Sequence, residues 1–383
     1  MNKMNEFPLM DPSDGIPLFY PHVPSAAAKY VADVLSTRWI GQGPKVEEFE
    51  SKFTKSIVEH GWSVAVNSGT SALHLAYILA GVTQGSEVIC PVFTCTATNL
   101  PILYQGGTPV FVDISKSSLN MDINVIEKLI NSKTVAVCVV DYGGLPNDYK
   151  RLREICDKNG LKLIIDCAHA VDTLYNGKHV TSFADYVVYS FQAIKTMTTG
   201  DGGMLIVKSE SDYEKARRLR WFGIDRSSKQ KGIWENDITE LGYKYQMTDI
   251  SAAIGLASLE ELAEVLNKRR MLYKVYQSSL EEFGDFLMEK PEKGVDFTPW
   301  LVTLNTNGNR LGLMRHLRKV NIESAQVHYR NDRYSVFRNY VKGTFPNMDK
   351  IEDHYLVLPL HTMLSAVDVE GICNEVKKFL RTN

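Results

Sequence analysis

The sequence predicts an α/β fold: a mostly parallel seven-stranded sheet with flanking helices, followed by a smaller C-terminal α+β domain. Three observations predict it. First, seven short runs rich in Val, Ile and Phe recur between about residues 60 and 210, namely WSVAV, SEVICPV, TPVFVDI, TVAVCVV, LKLIID, DYVVYSF and GGMLIV. They do not alternate apolar with polar, so both faces of each strand are expected inside, as in parallel sheets. Second, the segments between the runs have helical spacing and read as crossovers. Third, 383 residues with 44% hydrophobic and 23% charged side chains suit a folded chain of two or three core units.

Taken in order, ALHLAYILAG, NVIEKLIN and DYKRLREICDKNG place apolar residues at helical intervals. The first and last stop at Gly81 and Gly160, the residue type that caps helix C-termini. From Thr248 to Leu280 a long helical stretch predicts a connector between domains, with a large domain over 1–255 and a small one over 256–383. No internal repeat or low-complexity tract interrupts this plan.

Charge and cysteine usage narrow the function. Lys plus Arg number 43 against 45 Asp plus Glu, a net charge of -2, so no global positive field attracts nucleic acid or anionic lipid. Apolar stretches such as Thr134 to Val140 are far shorter than the roughly 20 residues of a membrane helix. The opening MNKMNEFPLMDPSDG lacks an apolar signal core and an Arg/Ser-rich transit pattern, which makes the cytoplasm the expected location. Six cysteines, none in a C-x-x-C pair, read as reduced and mostly buried thiols, and no HExxH helix is present, so no metal site is expected.

Three segments carry candidate chemistry. VNSGTSALHLA puts Ser68, Gly69, Thr70 and Ser71 between a strand end and a helix start. Free N–H groups and the helix dipole favour a phosphate there, while an ordinary Ser/Thr cap is the other reading. In LKLIIDCAHA a strand ends at Asp166, with His169 three residues later. Ligands of open α/β sheets bind at strand carboxyl ends, so Asp166 either faces a site or caps the next turn. For a pyridine cofactor, a carboxylate keeps the ring nitrogen protonated so that the ring takes up carbanion electrons. In VVYSFQAIKTMTTGDGGML a strand delivers Ser190, and a loop brings Lys195 ahead of a glycine-rich turn. A lysine at a strand end can lose solvation and attack an aldehyde as an amine. Taken singly it reads as a surface lysine.

Together, NSGTSALHLA, IIDCAHA, YSFQAIKTMTTGDGG and GYKYQMTDISAAIGLASLE resemble the DegT/StrS-type sugar aminotransferases, which have the fold type I aspartate aminotransferase architecture. RWIGQGPKVEEFESKF near the start and LPLHTMLS near the end extend the resemblance over nearly the whole chain. It implies pyridoxal 5'-phosphate (PLP) as cofactor, with Lys195 forming the Schiff base and then shuttling the proton between substrate carbon and cofactor. It also implies Asp166 at the pyridine nitrogen and His169 beside the ring or at its phenolic oxygen. Gly69, Thr70, Ser71 and Ser190, with Gln192, would hold the phosphate.

Three positions depart from the family's common pattern. Cys95 in PVFTCTATN stands where relatives have a ring-stacking aromatic; a thiol packs on a ring more weakly. Lys244 in GYKYQM replaces an Asn that reaches the neighbouring subunit's phosphate, and its ammonium group could bind phosphate as a point charge. VHYRNDRYSVF puts Asn331, Asp332 and Arg333 where Pro, Leu and His are usual.

The resemblance further implies a homodimer with shared active sites and transfer of an amino group from L-glutamate to a GDP- or dTDP-linked 4-keto-6-deoxy sugar. Position 4 is favoured over position 3, and the product would enter amino-sugar and surface-glycan (lipopolysaccharide or O-antigen) biosynthesis. Arg226, Lys229, Arg330 and Arg333 are candidate pyrophosphate partners, although each taken singly reads first as a solvated surface charge. His328 and Tyr329 are candidates for the sugar hydroxyls. Three readings compete: a PLP-dependent sugar dehydratase of the same fold, whose members replace the lysine with histidine; a non-catalytic sensor retaining the fold; and a transaminase of small 2-oxo acids.

Overall fold

Each of the seven apolar runs forms a strand: β1 (Trp62–Val66), β2 (Glu87–Pro91), β3 (Thr108–Val112), β4 (Thr134–Val140), β5 (Lys162–Asp166), β6 (Tyr186–Ser190) and β7 (Gly203–Val207). They make one sheet in the order β1-β7-β6-β5-β4-β2-β3. Six strands run parallel, and β7 alone is reversed between β1 and β6. The computed structural model describes residues 7–382 except 236, 285, 292 and 293.

The absence of apolar/polar alternation has a direct cause, because successive side chains point to opposite faces and both faces are covered. Val64, Val88, Cys138, Ile164 and Leu205 enter one core with the Gly69–Leu79 helix. Ala65, Ile89, Val137, Ile165 and Ile206 enter the other with the Pro44–Ile57 and Tyr149–Asn159 helices. Each fully buried Val, Leu or Ile contributes about 1.5–3 kcal/mol. The Tyr149–Asn159 helix starts where the Asp148 carboxylate accepts from Arg151 N and ends at Gly160, whose φ of 66° is the left-handed cap conformation glycine adopts freely.

The long connector is two helices, Asp249–Glu260 and Leu262–Leu280, divided at Glu261. Asp249 is buried, and its carboxylate accepts from Gly43 N at 2.7 Å and from Lys45 N and Val46 N at 3.1 Å, which fastens the start of the Pro44–Ile57 helix. Downstream, β8 (Val302–Asn305) and β9 (Tyr355–Leu358) pair antiparallel. With the Leu262–Leu280, Arg310–Lys319 and Ala366–Thr382 helices they enclose a third core containing Leu272, Val302, Leu317, Leu356 and Val376.

Candidate active site

The parallel strands all deliver their carboxyl ends to one side, and there a cavity of about 350 Å³ opens. Its wall brings together Gly69, Thr70, Cys95, Asp166, His169, Ser190, Gln192, Lys195 and His328 from the candidate residues. Ser68, Thr94, Asp201 and Trp300 join them.

At one end lies the start of the Gly69–Leu79 helix. Ser68 is its cap, accepting from Ser71 N at 3.1 Å. The first amides of a helix have no partner within it, so Gly69 and Thr70 offer theirs to the cavity. The cap reading holds, and it leaves these amides free to meet an anion. Ser71 itself turns away, its hydroxyl donating to Asn67 Oδ1 at 2.7 Å. The close packing is possible because Gly203 has no side chain: a Cβ there would lie 2.6 Å from the Ser68 and Gly69 backbone. Ser190, at the end of β6, supplies a hydroxyl to the same cradle.

Asp166, at the end of β5, is buried. Its Oδ2 accepts from the Thr98 hydroxyl at 2.9 Å and its Oδ1 from Ala168 N at 3.1 Å. Burial pushes its carboxyl above the usual range, opposed by Thr98, Ala168 and Lys195. No ion pair neutralises it among the described residues. A cationic N–H at this point would meet a carboxylate already oriented to accept it.

Lys195 is half-buried with its amine turned into the cavity, and loss of hydration lowers that amine to about 8, against the smaller opposing influence of Cys95 and Asp166. The amine is thus poised as a nucleophile close to neutral pH. His169 is held well below the usual imidazole range by burial and by Lys195. Gly143 N donates to its Nδ1 at 3.3 Å, so the proton of the neutral ring sits on Nε2. His328 is lowered to about 3 by burial and Lys195, and its buried Nε2 has no hydrogen-bond partner. Cys95 starts the Thr96–Tyr104 helix and is half-buried at the cavity wall.

The remaining candidates lie outside the wall. Tyr243 and Tyr245 stack at 5.0 Å and both face His74, so Lys244 between them points the other way, its amine 5.3 Å from the Phe222 ring. The Arg226 guanidinium donates to the Gln42 carbonyl, and Lys229 Nζ donates to the Trp234 carbonyl at 3.1 Å. Tyr329 packs edge-on against Tyr334. Arg330 corrects its sequence expectation: it is 2% exposed and pairs with Asp332 at 2.7 Å, Glu352 at 2.9 Å and Asp349 at 2.5 Å. Two of those carboxylates fold back from a distant helix end, which local sequence does not reveal. Arg333 bridges to Glu352 at 3.1 Å in the same cluster. Asn331 is structural, donating to Thr94 O at 2.7 Å and accepting from Asn99 Nδ2 at 2.9 Å.

These residues fit PLP group by group. The helix start and Ser190 suit a phosphate, the unneutralised Asp166 suits a protonated pyridine nitrogen, the Lys195 amine suits an aldehyde, and the orphaned His328 Nε2 leaves a polar contact to be filled. Thr98 and Trp300 were not evident in the sequence; Thr98 had a signal in the PVFTCTATN segment, Trp300 none.

Comparison with known proteins gives the family of the chain and of its fold. The sequence pattern of the DegT/DnrJ/EryC1/StrS aminotransferase family matches residues 22–377. GDP-perosamine synthase of Vibrio cholerae is 33% identical over 95% of this chain and 99% of its own length. The solved structure of the sugar aminotransferase CalS13 from Micromonospora echinospora superposes with a TM-score of 0.88 at 31% identity, covering 95% of this chain and 99% of the other. The PLP form of Spr1654 from Streptococcus pneumoniae gives a TM-score of 0.90 at 28% identity, covering 96% and 99%.

Proposed function

The chain belongs to the DegT/DnrJ/EryC1/StrS aminotransferase family and is a PLP-dependent sugar aminotransferase, and from that premise we propose that it moves an amino group from L-glutamate to carbon 4 of a GDP-linked 4-keto-6-deoxy sugar. The single observation carrying the chemistry is that Lys195, Asp166, His169 and the helix start at Gly69 line one cavity. The likeness to GDP-perosamine synthase supports the GDP-linked form over the dTDP-linked one. A product used in surface-polysaccharide assembly follows from the same likeness.

When bound, PLP supplies an aldehyde carbon that bonds to amines and a ring that takes up the electrons left when the adjoining C–H proton is removed. Lys195 would provide the amine that holds this carbon and the base that carries the proton. Asp166 keeps a proton on the ring nitrogen, and burial prevents water from competing for it. Gly69, Thr70 and Ser190 would hold the phosphate at the end of the cavity formed by the helix start. Neutral His169, a donor through Nε2, orients the site without adding charge. Lys195 also distinguishes this reading from the dehydratase, whose members have histidine there.

A homodimer is part of the proposal. Trp234, Ile238 and Leu241 are exposed, with Trp234 at 71% and Leu241 at 81%, in the segment that carries Arg226 and Lys229. A second copy covering this strip would bring Lys244 and these cations toward a neighbouring site.

The deciding experiment incubates the PLP enzyme with L-glutamate and GDP-, dTDP- and UDP-linked 4-keto-6-deoxy sugars and reads products by mass. Amination of the GDP-linked sugar is expected. Keto-sugar consumption without an amino product, or turnover with 2-oxo acids alone, overturns the assignment.

A further inference from the structure

Against Lys195 stands a tryptophan from the segment that leads into β8. Trp300 is buried and held at three points. Its N–H donates to the Gly143 carbonyl at 2.9 Å, its carbonyl accepts from the Arg269 guanidinium at 3.1 Å, and its indole Nε1 donates to the Ile194 carbonyl at 3.0 Å. Ile194 directly precedes Lys195. The lysine amine lies 3.8 Å from the indole centroid. The same ring stacks on His169 at 3.9 Å and 22°, and on Phe19 at 5.2 Å and 14°.

We propose that Trp300 is a positioning residue for Lys195: its indole N–H fixes the lysine loop through Ile194, and its ring shields the amine from water while holding His169 parallel to it.

The anchoring of Trp300 supports this role. Arg269 is buried without a carboxylate partner among the described residues, and it directs its guanidinium to the Trp300 and Leu360 carbonyls. A buried cation is costly unless its donors are matched, and Nη1 of Arg269 makes charge-assisted bonds to both carbonyls, which ties the tryptophan backbone in place although Nε is left without a partner. Two electrostatic effects of the ring then oppose each other. A π face attracts the ammonium form, whereas exclusion of water disfavours it. Loss of hydration is the largest influence on the amine, which it lowers to about 8, and the indole face 3.8 Å away is part of what keeps water from it. Removing the ring therefore raises the amine toward its ordinary value. Gly143 adds a link, since its carbonyl receives the Trp300 N–H while its own N–H sets the His169 tautomer.

This inference rests on the lysine and PLP and is independent of the sugar, so the test uses only the protein and its cofactor. Cofactor-free wild type, Trp300→Leu and Trp300→Phe, each checked for folding by circular dichroism and melting, receive PLP across a pH series. The rise of visible absorption reports capture by Lys195, and Lys195→Ala serves as the blank. In Trp300→Leu the pH midpoint of the capture rate should rise by about one unit, which slows capture at pH 7.5 about tenfold. In Trp300→Phe the ring remains and only the tie to Ile194 is lost, so the midpoint should stay while capture slows about two- to fivefold at every pH. A tryptophan that merely fills space would alter melting and leave the midpoint where it is. Wild-type midpoint and rate in folded Trp300→Leu overturns the proposal. Should that variant not fold, a wild-type capture rate in Trp300→Phe overturns it instead.

Discussion

Lys195 and Asp166 exert their effects through opposite responses to burial. An amine loses its charge more readily out of water, and a carboxylate keeps its charge only if a cation or donors compensate. Replacing Lys195 with Ala should lower amino transfer by roughly 10²- to 10⁴-fold and remove the visible band of the covalently held cofactor, both read on the purified enzyme. Asp166→Asn keeps the shape and removes the charge; kcat should fall about 10²- to 10³-fold while the protein still binds PLP. The lysine also makes a signed prediction for the cofactor-free protein. Its folded amine sits at about 8 and its unfolded value near 10.5, so between those values the unfolded chain holds more protons. Stability from this group should therefore rise with pH from about 8 to about 10.5, and Lys195→Met should flatten that slope in urea titrations. Thr98 shows the limit of sequence reading at this scale. Its hydroxyl serves Asp166 at 2.9 Å, from a helix that follows another strand.

Helices and strands position these residues by local rules that the sequence displays openly. Seven apolar runs became seven strands because both sheet faces are buried, and Asp148 and Gly160 bound their helix as cap chemistry requires. The predicted single connector became two helices, since the turn at Glu261 interrupts neither composition nor periodicity. Asp249 marks where one element holds another. Asp249→Ala would leave three backbone N–H groups at the start of the Pro44–Ile57 helix without their acceptor, and a loss of about 2–4 kcal/mol is expected from urea unfolding. Asp249→Asn, which keeps one acceptor oxygen, should cost less. Either result leaves the Lys195 environment intact, because this helix start does not line the cavity.

At the scale of the whole molecule, the exposed strip around Trp234 and the internal Arg330 cluster give separate expectations. The exposed strip around Trp234 predicts that Trp234→Glu converts a dimer into a monomer in light scattering and lowers turnover with it. The Arg330 cluster is internal: Arg330→Ala would strand the buried Asp332 carboxylate and should destabilise by about 3–5 kcal/mol, seen as a lower melting temperature with little change in KM. The sequence by itself determined the sheet, its crossover helices, and the lysine, aspartate, serine and glycine motifs that specify PLP chemistry. Each is written in a short spacing at the end of its own strand and in the loop after it, β1 for Gly69, β5 for Asp166 and β6 for Ser190 and Lys195, so local periodicity and residue type suffice to read them. Only the tertiary structure decided which other groups complete the site. Trp300 reaches Ile194 from about a hundred positions away, and the partners of Arg330 come from a helix end beyond it. Such contacts depend on how separate elements pack, and no spacing in the chain encodes them.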